Sequence, residues 1–315
     1  MIVALAGGVG GARLAAGLAA ALDDPSDLTV IVNTGDDFEH LGLSISPDLD
    51  TVMYTLASIE NPDAGWGRRD ETWSFMATLE ALGGPDWFRL GDHDMAVHAV
   101  RTQRLRAGSS LSHVTLDLSR ALGVRSQILP MSDDPLRTIV ATDEGTLEFQ
   151  HYFVRRRCEP RLLEIRFQGI NTARAGKEAL AALSAADLEA IVIAPSNPYV
   201  SIAPILALNG MRQALERRRV PLVAVSPIIA GRAVKGPAAK MMAELGVEVS
   251  ALGIARHYAG LIDGLVIDEA DCDLATAIAS LGISVHVTST LMRDDDSRRR
   301  LAVETLGLSR RLGAR

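Results

Sequence analysis

Cysteine is nearly missing from this chain: 315 residues hold two, Cys158 and Cys272. That is too few for a disulfide framework or a cysteine-built zinc site, and it suits a reducing, cytoplasmic compartment. No unbroken apolar run approaches the roughly twenty residues that cross a bilayer, so no membrane partner is expected. The stretch Leu14 to Leu22 follows a glycine turn and lacks a basic leader, which argues against a signal-peptide core. An excess of positive charge is missing too. At a net charge of −7 the chain has no broad basic face for displacing counterions, which argues against nucleic acid as a partner. Absent as well are a Gly-x-Ser-x-Gly elbow, a paired metal-binding histidine motif, internal repeats and low-complexity linkers. His93 and His98 lie five apart, and with His257 and His286 they are expected to be structural.

What remains is an ordinary globular composition, 48% hydrophobic and 23% charged, long enough for one large α/β domain or two small ones. The chain is organised around its first twenty-two residues. Ile2 to Ala6 reads as a buried strand, Gly7-Gly8-Val9-Gly10-Gly11 as a tight turn, and the following segment as a helix with Leu14, Leu18 and Leu22 on one face. The unpaired N–H groups and positive dipole of such a helix start form an anion seat, and Gly8, Gly10 and Gly11 are its expected phosphate-binding residues. The third glycine of the dinucleotide fingerprint falls on Arg13, and no Walker lysine follows. A nicotinamide enzyme and a P-loop protein are therefore disfavoured.

Downstream, Leu28 to Val32 reads as a second strand, and from Gly176 onward helices alternate with short apolar strands at Ala190, Leu222, Leu265 and Ser284. Ile205 to Arg218 is predicted as one continuous helix, and Asp294 to Leu306 as the closing one. This alternation predicts an α/β fold with a parallel sheet and helices on both faces. Residues 1–60 and 170–315 would form the nucleotide-binding core. Residues 61–169 would be an inserted helical and β-hairpin region, helical at Asp92 to Arg106 and β-rich at Gln127 to Met131, Arg137 to Ala141 and Leu147 to Val154.

Open α/β sheets bind ligands beyond the carboxyl ends of their strands, and chemistry-bearing residues collect in those loops. Ser196 and Asn197 offer a hydroxyl and an amide. Gly231, Arg232 and Lys235 add charge-assisted donors suited to a diphosphate. Asp36, Asp37, Asp48 and Asp50 carry the hard oxygens that Mg2+ prefers, or else they serve as caps and solvated turns. Aromatic residues are only 4% of the chain, yet Trp66, Trp73 and Trp87 fall within twenty-two positions. They form either a flat wall for a ring system or the core of a helical subdomain.

Taken together, the segments Leu5 to Arg13, Val32 to Asp37, Ser46 to Leu56, Gly65 to Trp73, Trp87 to Asp92, Ser196 to Pro198 and Ser226 to Gly236 resemble the 2-phospho-L-lactate transferase family of coenzyme F-420 biosynthesis. The resemblance implies a Rossmann-like parallel-sheet core with an inserted helical region, a homodimer, a magnesium cofactor, and attack of 7,8-didemethyl-8-hydroxy-5-deazariboflavin on a guanosine-diphosphate-linked donor with release of GMP. It implies deazaflavin binding at Asp50 and Arg89. The residues themselves fit that chemistry, with Trp66 and Trp87 as the ring wall, Asp50 as the catalytic carboxylate, and Asp36, Asp37 and Asp48 on the metal. The transferred group stays open among phospholactyl, phosphoenolpyruvyl and phosphoglyceryl. The alternative is a nucleotide-sugar-binding regulatory protein of the same superfamily, which would have no need of the Pro47-Asp48-Leu49-Asp50 and tryptophan-rich segments.

Overall fold

A computed structural model describes residues 1–314. Seven strands form the central sheet: β1 (Ile2–Ala6), β2 (Leu28–Val32), β3 (Gln127–Pro130), β4 (Ala190–Ile193), β5 (Leu222–Val225), β6 (Gly264–Ile267) and β7 (Ser284–Val287). They lie in the order β7-β6-β5-β4-β1-β2-β3, and every pairing is parallel. Sheets of this kind are covered on both faces, which is why β1, β2, β4, β5 and β6 are buried along their whole length. Alternation within β1 divides the core: Val3 and Leu5 face one apolar cluster, and Ile2, Ala4 and Ala6 face the other.

The second cluster is closed by α1 (Gly8–Ala21), α2 (Pro47–Leu56) and α4 (Asp295–Gly313), while α3 (Asp92–Arg106) belongs to the segment between β2 and β4. Leu14 and Leu18 are fully buried, as the helical stripe predicts. The close approach of α1 to α4 depends on Gly17, where a Cβ would lie 2.2 Å from the Arg298 carbonyl oxygen. Asp294 caps α4 with a reciprocal Ser297 capping box.

Several boundaries differ from the sequence expectation. Gln127–Pro130, grouped above with the insert, pairs with β2 and forms the sheet edge. The strand expected over Leu147 to Val154 ends at Glu148, and His151–Arg155 is a π-helical turn. The strand's antiparallel partner is Arg137–Thr142, which also pairs with Leu162–Gln168. The helix expected over Ile205 to Arg218 is broken, because Gly210 takes a left-handed φ of 87° between Ala203–Ala207 and Met211–Glu216. The sheet grows outward from β1 to β3 on one side and from β4 to β7 on the other. The crevice at the carboxyl ends of β1 and β4 is therefore its switch point.

Candidate functional site

At that switch point, β1 runs into α1, and the first two amides of the turn are already engaged. Gly7 N–H donates to Ser196 Oγ (3.1 Å) and Gly8 N–H to Asp48 Oδ1 (2.8 Å). The positive helix end therefore seats a carboxylate of the protein itself. Close packing explains two glycines: a Cβ at Gly7 would lie 2.5 Å from Asp48 Oδ2, and one at Gly10 would lie 2.3 Å from the Pro195 carbonyl oxygen. Asp48 Oδ2 also accepts from Asn33 Nδ2 (2.9 Å), whose own Oδ1 accepts from Gly35 N–H (2.8 Å).

Around this network three carboxyls are withdrawn from water. Burial pushes Asp48 up to about 6, against hydrogen bonds from Asn33 and Gly8 that favour its ionised form. Burial, with Asp48 and Asp37 nearby, drives Asp36 well above the usual carboxylate range. Burial also raises Asp37 to about 7, although Ser46 Oγ donates to its Oδ2 (2.8 Å). Asp36 Oδ1 and Asp37 Oδ1 are buried without any hydrogen-bond partner. Asp36 Oδ1, orphaned near the Asp48 carboxylate, is a hard oxygen of the kind Mg2+ prefers, but Asp36, Asp37 and Asp48 do not bring three such oxygens within 4.8 Å of one another.

A second cluster lies further along α2. Arg101 of α3 donates to both oxygens of Asp50, with Nη1 3.0 Å from Oδ2. Tyr54 donates its hydroxyl to Asp94 Oδ1 (2.5 Å), and burial together with Asp50 and Asp94 holds that phenol well above its usual range. Asp50, Asp94 and His98 each bring a ligand-capable atom within 4.8 Å of the others, a spacing that could hold a metal ion.

Both clusters open on one cavity of about 580 Å³, a size suited to a bound small molecule. Of the residues expected from sequence, Gly8, Gly10, Asp36, Asp48, Asp50, Trp66, Arg89, Ser196, Asn197 and Lys235 line it. The other five do not. Asp37 turns to Ser46, and Gly11 lies behind the turn, where a Cβ would be 2.5 Å from Ser196 Oγ. Gly231 and Arg232 belong to a tight hairpin in which Ile228–Ile229 pairs with Arg232–Ala233, with positive φ at Ala230 and Gly231. Trp87 stacks on His151 at 4.3 Å and packs, partly buried, against the small apolar cluster around Phe38 instead of the cavity. Arg89 lies over the Trp73 ring at 4.9 Å. Lys235 Nζ donates to the Ala64 carbonyl (2.9 Å), tying its loop to the segment that carries Trp66.

Sequence reasoning missed Arg13, Asp94, His98, Phe149 and Phe153 on the cavity wall. For His98 a signal existed: Asp94, His98 and Arg101 recur at i, i+4 and i+7 on one helical face, and the third is an arginine on the buried side. The two phenylalanines stack at 5.5 Å in a stretch where sequence pattern predicts a strand.

A parallel sheet with its cavity at the switch point defines a Rossmann-like α/β protein, the class whose ligand crevice lies at the carboxyl rim. A solved structure from Bacillus halodurans shares this fold, with a TM-score of 0.63 at 16% identity, covering 97% of this chain and 98% of that one. Residues 2–300 match the family described as 2-phospho-L-lactate transferase CofD, and the chain belongs to that family. It is 45% identical over 314 residues to a phosphoenolpyruvate transferase of Kitasatospora aureofaciens, covering 98% of this chain and 97% of the relative. It is 38% identical over 307 residues to a 2-phospho-L-lactate transferase of Methanosarcina acetivorans, covering 98% of each. A third relative, the 2-phospho-L-lactate transferase of Methanothermobacter thermautotrophicus, is 40% identical over 308 residues, covering 98% of this chain and 97% of the relative.

Proposed function

We propose that this chain transfers a phosphoenolpyruvyl group from a guanosine-diphosphate-linked donor to 7,8-didemethyl-8-hydroxy-5-deazariboflavin, releasing GMP, as a step of coenzyme F-420 biosynthesis. The observation that carries the reading is the single cavity on which the glycine turn, the buried carboxylates, Asp50, Arg89 and Trp66 converge. The choice of donor rests on relatives: five named phosphoenolpyruvate transferases are 41% to 45% identical to this chain, against 38% to 40% for three named for phospholactate.

In this reading the terminal hydroxyl of the acceptor side chain attacks the β-phosphorus of the donor. The new O–P bond forms as the bond to the bridging oxygen breaks, GMP departs with that oxygen, and the hydroxyl proton is lost. Such chemistry depends chiefly on alignment and on stabilising phosphoryl charge. The unengaged amides near Gly10, with Ser196, Asn197, Arg13 and Lys235, hold the diphosphate. Asp36 and Asp48 would hold Mg2+, which when bound supplies positive charge to the phosphoryl oxygens. Asp50 and Arg89 orient the acceptor, and Trp66 covers its rings. Residues 61–169, apart from the edge strand β3, act as the insert that brings Arg89 and Trp66 to Asp50 of the core. We further propose a cytoplasmic homodimer; no helix among the described residues is long and apolar enough to cross a membrane.

Incubation with the deazaflavin, Mg2+ and each of the three guanylylated donors, followed by mass analysis, tests the reading. The expected products are the phosphoenolpyruvyl adduct and GMP. An adduct only with the phospholactyl or phosphoglyceryl donor would correct the substrate, and no adduct with any donor would overturn the activity.

A further inference from the structure

The Asp50, Asp94 and His98 cluster has the spacing of a metal site, but its hydrogen bonds show a different occupant. Arg101 is the largest of the fully buried side chains. Its two terminal nitrogens donate to the two oxygens of Asp50, and Nη1 also lies 3.2 Å from His98 Nδ1. A guanidinium only donates, so Nδ1 accepts and the ring hydrogen sits on Nε2, which faces Asp94 Oδ2 at 3.4 Å without closing a hydrogen bond. Neither ring nitrogen keeps a free lone pair, and Asp94 Oδ1 already accepts from Tyr54.

We propose that the Arg101 guanidinium is the resident cation of this cluster, that it keeps a divalent ion out, and that it is the positioning residue presenting Asp50 to the deazaflavin. The proposal rests on the reading of Asp50 as an acceptor-binding carboxylate. It also gives the insert a defined role, in which α3 reaches across to α2 and holds one carboxylate in a single orientation. Lysine could supply the charge but not the two-pronged geometry.

The test combines deazaflavin fluorescence titration with steady-state kinetics on the wild type, Arg101→Lys and Arg101→Ala. Arg101→Lys is expected to raise the Kd and KM for the deazaflavin roughly tenfold, the scale of one lost bond to a charged group, with the donor KM unchanged. Arg101→Ala is expected to lose more, to recover in part when guanidinium chloride is added at low concentration, and to take up an additional Co2+ visible by absorption. Equal loss for both substrates without guanidinium recovery would reduce Arg101 to a structural prop and overturn the proposal. If Arg101→Ala fails to fold, Arg101→Lys decides: an unchanged deazaflavin Kd overturns it. A wild type that does not bind the deazaflavin at all would instead sink the functional reading on which it rests.

Discussion

Replacing Asp48 by asparagine should make the protein more stable and less able to respond to magnesium. Burial raises this carboxyl to about 6 from an ordinary value of 3.8. The folded state thus holds the proton more tightly than the unfolded chain. Stability falls as pH rises from the ordinary carboxylate range through about 6, then levels off. Above that window the ionised carboxylate costs the fold about 3 kcal/mol, taking ~1.4 kcal/mol for each pH unit. Asparagine removes the charge and can still accept from Gly8 N–H, but its amide would face the Asn33 amide that Asp48 now accepts from. Losing that bond costs about 1 kcal/mol, leaving a net gain of about 2 kcal/mol at pH 8, or a few degrees in Tm. Near pH 4.5 the gain shrinks to about 1 kcal/mol and cancels the lost bond, so the two proteins should melt together. Magnesium should raise the wild-type Tm at pH 8 and leave that of Asp48→Asn unchanged. Thermal melts at both pH values, with and without Mg2+, give the comparison. A variant that melts lower at pH 8 without metal, or an equal magnesium shift in both proteins, would refute the reasoning.

Asp50→Ala strands the buried Arg101 charge and should destabilise the fold by about 3–5 kcal/mol in chemical denaturation, whereas Asp50→Asn keeps one acceptor for the guanidinium and should lose less stability while still losing deazaflavin affinity. Trp66 is 53% exposed, so Trp66→Ala should leave Tm within about 1 °C while weakening deazaflavin binding roughly tenfold in a fluorescence titration, the upper end of one aromatic contact. Gly17→Ala should lower stability by about 1–3 kcal/mol through overpacking against Arg298, despite better helix propensity, with activity per folded molecule unchanged in an assay well below Tm.

The core was readable because its signals are local. A wholly apolar strand β1, a β-branched and largely apolar β2, a glycine turn and a four-residue leucine spacing each point to the same strand-turn-helix unit, and the loops after the strands follow from the parallel sheet. The insert was less readable. Gln127–Pro130 has the apolar run of a sheet strand, but nothing nearby in sequence says that its partner is the distant β2. Gly231 and Arg232 sit in a loop of suitable composition, yet a tight hairpin carries them away from the cavity. Among the acidic residues, sequence supplied the candidates and geometry divided them. Asp48 is held by a helix start and Asp36 is left with an orphaned oxygen, whereas Asp50 is taken by an arginine fifty-one residues away.

If a metal diphosphate and a deazaflavin share one cavity at the carboxyl rim of the sheet, a crystal structure determined with GDP, Mg2+ and the deazaflavin will show both there. The metal is expected on Asp36 and Asp48, the diphosphate beside Gly10 and Lys235, and the ring system against Trp66 with its side chain toward Asp50. Metal bound instead among Asp50, Asp94 and His98, or the two ligands lodged in separate sites, would contradict this arrangement.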